Sequence, residues 1–371
     1  YFIDDESKPY STELFENRDV MGDFYGGKSG GMWSRFANSY LTRFGYSPEQ
    51  FNEMIRKVDN PDGTTSFFGA DLRDANLSGA NLQRAYLNLA RLEKANFAGA
   101  ILIEATIFQP IFGDTNFMGA NLTNARMIGT LGKVNMSKAL VKNGRFGLDV
   151  GNQPMGQMKF DSAGGNFKGT DFQDADLNIA SFIFGDLSGA NLRNTNLHRA
   201  ELIQADLTGA DLTGAKISGA DFIHTDLKDA KLNNIKSSNV CFDFVKASFA
   251  EFKDVEFDNT SFKNATLNNT DFTNAKLHNA IFTNAYLRYA YLYKTELPET
   301  NFKDADLTEA NLSKSDLTGA NLTDANLTGA FVNQTNLTGA NLTSAKLNRI
   351  NLRRANLTDA ILTGAILTGA D

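Results

Sequence analysis

A repeat of five residues constrains this chain more than any other feature of its sequence. From Phe67 onward, almost every fifth residue is Leu, Phe, Ile or Met, and the residue two places earlier is small. The row runs from Leu72 to Met127, resumes in the same frame at Phe167, and continues from Phe252 to Leu367. Asn or Asp often stands just before the large residue, and Gly often stands two places after it. Repetition at a fixed period indicates a repeat architecture.

A period of five fits neither a regular helix nor a flat strand. Five residues turn an α-helix by about 500°, which would spread the large side chains around the whole cylinder. On a flat strand they would alternate between the two faces. A chain that turns a corner every five residues points each large residue inward, and four such sides close a coil of about twenty residues. Gly suits the corner because it tolerates positive φ.

Residues twenty apart should then stack in columns along the rod. One such column predicts an aromatic ladder in the core, which we interpret as structural and not as a ligand site. Its aromatic members include Phe222, Phe242, Phe262, Phe282 and Phe302.

The repeat resembles a known family. The segments ANLRNTNLHRAELIQADLTGADLTGA and ANLTDANLTGAFVNQTNLTGANLTSA follow the motif A(D/N)LXX, as does most of residues 65–371. In this the chain resembles the pentapeptide repeat family. The resemblance implies an all-β solenoid, a right-handed quadrilateral parallel β-helix. At about 4.8 Å per coil, residues 65–371 would form a rod on the order of 70 Å long.

We predict two regions, a small cap at residues 1–64 and a β-helix at residues 65–371. A stack of coils exposes an unpaired end, which needs a cover. Within the cap, residues 32–44 carry apolar residues at helical spacing, and residues 47–50 have the Ser-Pro-Glu-Gln pattern of a helix start. The sequence thus predicts a two-helix α-helical cap, preceded by an irregular arm.

The repeat is interrupted at about residues 131–166. Met136, Val141 and Phe146 fit three pentads shifted by one residue, and several Gly residues nearby are typical of loops. Two interpretations stay open for this segment, a distorted coil with a bulge and a protruding loop that makes a specific contact. A lesser break is expected at residues 237–249.

The chain stops at ILTGAILTGAD without a cap. We therefore expect either a truncated end or an end covered by another chain, for example in a homodimer. The first residue is Tyr1 and not Met, so any targeting segment is out of view. The cytoplasm is the expected compartment, and secretion or an organelle stays open.

A group of aromatic residues occupies outward positions of the repeat. Phe249 and Tyr289 share one outward position, two coils apart, on a wall otherwise made of Asn, Thr, Asp and Lys. Exposed aromatic and cationic groups together are typical of a partner-binding surface. The alternative is simple stacking between coils at the surface. The candidate partner-binding residues are Phe249, Tyr286, Arg288, Tyr289, Tyr291 and Tyr293.

Charge and hydropathy exclude several classes of partner. The chain has a net charge of −7, but residues 1–64 hold 11 acidic and 7 basic groups, which leaves 32 acidic and 29 basic groups in the repeat. A nearly neutral rod does not favour nucleic-acid binding. The sequence contains no run of about 18 apolar residues, so membrane insertion is not expected. Cys241 is the only cysteine, so no disulfide framework is expected.

No catalytic, cofactor or metal site is expected. Residues 22–29 spell a nucleotide-binding loop, G-x4-G-K-S, but no buried strand precedes them as that motif requires. The three histidines, His198, His224 and His278, are too scattered to form a metal site. A β-helix enzyme acting on carbohydrates is a remote alternative, because such enzymes need long loops to build a cleft.

The sequence therefore predicts a non-catalytic scaffold that presents a rigid surface to a protein partner. The family resemblance implies other roles that stay open. One is a DNA-mimic binder of a type II topoisomerase that protects gyrase, although a balance near zero argues against strong mimicry. Others are a secreted bacterial effector and a scaffold in a photosynthetic organism.

Overall fold

The computed structural model describes residues 65–146, except Phe68, Gln109 and Leu131, and residues 160–371. These residues form one stack of parallel coils in which the residue before each large one pairs with a residue twenty positions further on, as Asp71 does with Arg91. No α-helix occurs among them. The predicted β-helix solenoid is confirmed. The predicted arm and two-helix cap of residues 1–64, with the loop motif at 22–29, lie outside the described residues.

Short strands form where the pairing extends over consecutive residues. Two three-stranded parallel sheets result, in the orders β1-β2-β3 and β4-β5-β6. Elsewhere each side of a coil pairs through a single residue. The strands are β1 Thr106–Phe108, β2 Arg126–Thr130, β3 Phe160–Asp161, β4 Lys236–Ser238, β5 Glu256–Asp258 and β6 Lys276–His278.

Each coil has four sides, which we name A to D in chain order. After the interruption, one coil places the buried residues Leu177, Phe182, Leu187 and Leu192 on sides A, B, C and D. On every side the large and the small residue point inward, and the corner lies two residues after the large one. A column is the set of equivalent residues in successive coils.

Backbone hydrogen bonds tie each side to its neighbours. The Leu72 N–H donates to the Arg91 carbonyl at 2.8 Å, and the Arg91 N–H donates back to the Ala70 carbonyl at 2.8 Å. The Ala75 N–H donates to the Leu72 carbonyl at 3.1 Å and closes the turn at the corner. Buried backbone groups must find partners, and stacking in this register supplies most of them.

Where Asn or Asp precedes the large residue, its side chain accepts a hydrogen bond from a backbone donor that the stacking leaves unpaired. The N–H of the residue after the large one bonds to this side chain, as Thr208 N–H does to Asp206 Oδ1 at 2.9 Å. Asn76 Oδ1 likewise accepts the Ser78 N–H at 3.2 Å and also a bond from Asn96 Nδ2 in the next coil at 3.1 Å. Local capping of this kind is typical of Asn and Asp.

The small inward residue is most often Ala, and at several positions it is a Thr whose hydroxyl is hidden. Thr115 and Thr270 are fully buried, and each hydroxyl donates to a carbonyl of the preceding coil. The Thr115 bond reaches the Leu92 carbonyl at 2.7 Å, and the Thr270 bond reaches the Ala247 carbonyl at 2.8 Å. A buried hydroxyl with a partner avoids the cost of desolvation.

Aromatic residues form the predicted ladder in the core of side B. Ring centroids are 4.8 Å apart between Phe222 and Phe242, 5.0 Å between Phe242 and Phe262, 4.8 Å between Phe262 and Phe282, and 4.9 Å between Phe282 and Phe302. These pairs are stacked, and such geometry adds stability beyond area burial. The inward positions Ser237 and Ala247, in the lesser break, keep the regular register.

The interruption changes the register twice. Asn116 pairs with Asn135, and Asn135 in turn pairs with Asn166. The first coil is thus one residue short and the second has eleven residues more than twenty. The shifted pentads at Met136, Val141 and Phe146 are inward and buried. The extra residues fall between 146 and 160, and residues 147–159 lie outside the described residues.

After the interruption, the large and the small inward residue of side B exchange positions. Ser162 takes the inward position and is fully buried, and its hydroxyl donates to the Gly132 carbonyl at 2.8 Å. The ring of Phe160, two residues earlier, fills the space instead, 5.2 Å from Phe146 and 5.4 Å from Phe182.

Among the described residues, nothing packs beyond the inward leucines of the last coil. Leu352, Leu357 and Leu362 are only partly buried, and Leu367 is 41% exposed. The contact between chains that the sequence suggests for this end stays a prediction.

The ladder makes Phe262 a sensitive core position. We expect Phe262→Ala to lower the free energy of unfolding by about 3–5 kcal/mol, because it removes two stacked contacts and leaves a cavity. Urea denaturation at equilibrium measures this. Lys263→Ala, next to it but pointing outward, should change the same quantity by less than about 0.5 kcal/mol. Similar losses for both variants would show that the ladder contributes little.

Substitutions at the Gly209 corner test the effect of backbone conformation alone. Its φ is +66°, and an added Cβ would meet no atom within 4 Å. Gly209→Val should cost about 1–2 kcal/mol of unfolding free energy, because a branched side chain disfavours positive φ. Gly209→Asn should cost less, since Asn tolerates this region. Equal melting temperatures for the two variants would contradict the assignment.

Candidate binding surface

The six candidate residues lie around the corner between sides C and D, and we call this surface the aromatic corner. It consists of Phe249, Tyr286, Arg288, Tyr289, Tyr291 and Tyr293. Tyr286 and Arg288 lie on side C, Phe249 and Tyr289 lie at the corner itself, and Tyr291 and Tyr293 lie on side D. The structure thus brings all six together on one edge of the rod.

Four of the five aromatic side chains are open to solvent, and Tyr293 is half-buried. The exposed fraction is 55% for Phe249, 53% for Tyr286, 48% for Tyr289 and 51% for Tyr291. Asn269 occupies the corner of the coil between Phe249 and Tyr289, and its N–H bonds to the Arg288 carbonyl at 2.9 Å. Two coil spacings, about 10 Å, therefore separate the two rings, which do not stack directly on each other.

Tyr286 and Tyr291 occupy the position that the repeat gives to Asn or Asp. With Tyr286 there, the N–H of Arg288 needs another acceptor, and Asn268 Oδ1 from the preceding coil accepts it at 3.0 Å. Lys253 uses the same device, because Asn233 Oδ1 accepts its N–H at 2.9 Å. The substitute bond preserves the fold and leaves the Tyr286 ring free to face outward.

The two corner aromatics adopt a backbone conformation that suits them poorly. The φ angle is +63° at Phe249 and +61° at Tyr289. The left-handed region costs an ordinary residue about 1–2 kcal/mol, and Gly or Asn would fill it at less cost. Polar residues such as Asp229 and Glu309 take the same column at a similar φ, so aromatic rings are not needed to close this corner.

An ion pair fixes the cationic part of the aromatic corner. Arg288 Nε donates to Asp306 Oδ2 at 2.5 Å, and this contact raises the pKa of Arg288. Burial acts to raise the pKa of Asp306, but hydrogen bonds from Thr308 and Arg288 outweigh it, so its pKa lies below the usual value. The guanidinium is thereby held in place beside Tyr286 and Tyr289.

Two lysines flank the last tyrosine. Lys294 Nζ lies 5.4 Å from the centroid of the Tyr293 ring. Lys314 Nζ lies 5.3 Å from the same centroid. Both distances are within the range of cation–π attraction. Mainly because of Lys314, the pKa of the Tyr293 hydroxyl lies below its usual value. Tyr and Arg are enriched where protein interfaces hold their binding energy, so the chemistry of this corner fits a protein partner.

Sequence reasoning missed a second exposed aromatic column. Phe184 and Phe244 lie at the corner between sides B and C, with exposed fractions of 63% and 45%. A comparison of outward residues twenty positions apart would have found them. The period of five alone does not reveal them, since it treats every corner position as polar. Other exposed apolar residues are Leu89, Ile101, Ile111, Met118, Leu140, Phe331, Ile361 and Ile366.

The histidines make separate local contacts. His278 Nε2 lies 3.3 Å from Glu296 Oε2, and the ring of His224 stacks on Phe244 at 4.7 Å. Within the described coils, no group of three or more His, Cys, Asp or Glu residues is arranged to hold a metal ion. The same part of the chain contains no helix long and apolar enough to cross a membrane.

Comparison with protein families gives one match. The family model of pentapeptide repeats matches in eight copies, which together cover more than half of the chain. The matched residues are 70–107, 163–194, 195–234, 250–288, 285–324, 300–339 and 335–371. No curated protein matches the sequence.

Several solved structures of repeat proteins are similar. HetL, involved in heterocyst differentiation regulation in the cyanobacterium Nostoc sp. strain PCC 7120, is 25% identical over 82% of this chain and 88% of that chain, with a TM-score of 0.18. Rfr23 from the cyanobacterium Cyanothece 51142 is 36% identical over 26% of this chain and 62% of that chain, with a TM-score of 0.22. QnrB1, a plasmid-mediated fluoroquinolone resistance protein, is 18% identical over 50% of this chain and 84% of that chain, with a TM-score of 0.21.

The ion pair at the aromatic corner predicts a pH dependence. Because the pKa of Asp306 is depressed in the folded protein, its contribution to stability is present above the unfolded value of 3.8 and is lost as the pH falls. Asp306→Asn should therefore lower the urea midpoint at pH 7 and have a smaller effect at pH 3. Asp304→Asn, at an exposed corner of the same coil, serves as the control. An effect of Asp306→Asn that is equal at both pH values would contradict the prediction.

Proposed function

Because this chain belongs to the pentapeptide repeat family, we propose that it is a non-catalytic rod whose aromatic corner binds a protein partner. In this proposal the coils form a right-handed quadrilateral β-helix that holds the binding side chains on a rigid support. The family model that matches describes a structural repeat and does not point to a family of enzymes.

The placement of three tyrosines carries the proposal. Tyr286 and Tyr291 stand where the repeat most often takes Asn or Asp, and Tyr289 stands in a column otherwise filled mainly by Gly and by polar residues such as Asn269 and Glu309. None of the three is needed to close a coil, and all three are about half exposed. Tyr presents a large contact area with few rotatable bonds, so it loses little entropy when it binds.

The rigid backbone strengthens this role. Every coil is hydrogen-bonded to the coils on both sides of it around Tyr289, whose own N–H donates to the Thr308 carbonyl at 3.0 Å. The Arg288–Asp306 pair orders the side chains further. A surface that is ordered before binding avoids part of the entropic cost of association.

A double variant tests the proposal. Tyr289→Asn combined with Tyr291→Asn should leave the fold intact, because the repeat already accepts Asn at both positions, as Asn269 and Asn311 show. We expect partner recovery in affinity capture from source-cell lysate to fall by about tenfold or more, since buried interface aromatics often contribute over roughly 1.4 kcal/mol. Isothermal titration with each captured protein then measures the loss directly.

Phe331→Asn is the matched control, since Phe331 is 49% exposed on side D, two coils from Tyr291. It should leave capture unchanged. Equal recovery with wild type and the double variant would overturn the proposal. Inhibition of gyrase supercoiling by micromolar wild-type protein, unaffected by the double variant, would favour the topoisomerase alternative instead.

A further inference from the structure

A second apolar surface lies on side B and turns around the corner to side C. Three isoleucines in one column face outward and are half-buried, and the corner column beside them carries aromatic rings. We call this surface the Ile/Phe strip. It comprises Ile183, Ile203, Ile223, Phe184, His224 and Phe244.

The backbone holds these side chains in register. Phe184 N–H donates to the Ile203 carbonyl at 3.1 Å, and Gln204 N–H donates to the Ile223 carbonyl at 2.9 Å. Successive isoleucines are therefore one coil spacing apart, about 4.8 Å. The strip runs parallel to the rod axis over four coils, and the stacked rings of His224 and Phe244 end it.

The corner residues of the strip have the positive φ that other corners of the rod also show. The φ angle is +58° at Phe184, +55° at Gln204, +57° at His224 and +58° at Phe244, and none of these residues is Gly or Asn. The left-handed conformation is costly for all four. Further along the same column the repeat uses Asn264 and other small polar residues, so closing the coil does not require aromatic rings.

Carboxylates line both edges of the strip. On side C, Asp186, Asp206 and Asp226 follow one another in adjacent coils, and none of them forms an ion pair within the described coils. On side B, Glu201 and Asp221 are backbone bridge partners in adjacent coils, and they lie on the other edge of the strip. Residues 161–230 hold 11 acidic and 5 basic groups, whereas residues 65–146 hold 5 and 9. The negative charge of the rod is thus concentrated in the coils that carry the strip.

We propose that the Ile/Phe strip binds a basic amphipathic α-helix of a partner protein, with the helix axis along the rod. The coil spacing of about 4.8 Å is close to the roughly 5.4 Å pitch of an α-helix, so the apolar side chains of successive turns meet successive isoleucines. Lysine or arginine on the two borders of the apolar face then meets the carboxylates on each edge.

The charges select against other occupants. The carboxylates repel the phosphates of nucleic acids and of anionic membranes. Residues 1–64 of this chain hold 11 acidic and 7 basic groups and match the strip poorly. A cationic helix is the partner that satisfies both the apolar column and its acidic edges. The proposal concerns a surface separate from the aromatic corner, so either can fail without the other.

Fluorescence anisotropy with a labelled peptide tests the proposal. The probe is an amphipathic Leu/Lys peptide of about 14 residues, roughly 20 Å long as a helix. The full chain should bind it at least about tenfold more tightly than a peptide of the same composition whose leucines are scrambled over all faces. Phe184→Asn combined with Phe244→Asn should weaken binding by about tenfold or more.

Charge variants and controls complete the test. Asp206→Asn should weaken binding by about threefold and reduce its salt dependence, because one interfacial charge is lost. Phe331→Asn, which lies outside both the strip and the aromatic corner, should leave the dissociation constant unchanged. Equal binding of the scrambled peptide, or less than a twofold effect of the double Phe variant, would overturn the proposal. So would strip-dependent self-association in sedimentation, because a second copy would then be the occupant.

Discussion

The whole rod depends on one requirement, that each five-residue side must find a partner for every backbone N–H. Stacking on the neighbouring coils supplies most of the acceptors, and the turn at the corner supplies another. The last donor is met by a side chain, as when Asp206 accepts the Thr208 N–H. Once this requirement is met, the inward residues have only to fill space and the corner has only to tolerate positive φ. The outward positions are left open, and both proposed surfaces use them.

The inward half of the fold could be predicted from sequence because packing fixes it. Leu72 and Ala70 are buried because their spacing allows no other arrangement, and the ladder through Phe262 follows from the period of twenty. The role of Asn and Asp as acceptors was not apparent, since a polar residue before the large one is equally consistent with simple exposure. The exchange on side B, where Phe160 fills the core, lies in the lengthened coil, which the period of five does not predict.

The candidate surfaces were predictable to different degrees. Tyr289 and its neighbours stand out in sequence because aromatic residues are rare on the outward wall. The pairing of Arg288 with Asp306 requires knowledge of which residues meet between coils. Phe184 and Phe244 escaped attention because each is isolated in sequence and joins a surface only when Ile203 and His224 are placed between them.

The interruption adds a net ten residues, eleven more in one coil and one fewer in the other, and so shifts the sides by half a turn relative to simple counting. Counting in steps of twenty from Leu87 leads to Leu187. The backbone bridges instead place Leu87 in one column with Met127, Phe146 and Leu177. Residues that sequence spacing would place on one face of the rod therefore lie on opposite faces once the interruption is crossed. A partner that reads both halves of the rod meets a combination of side chains that only the three-dimensional path reveals.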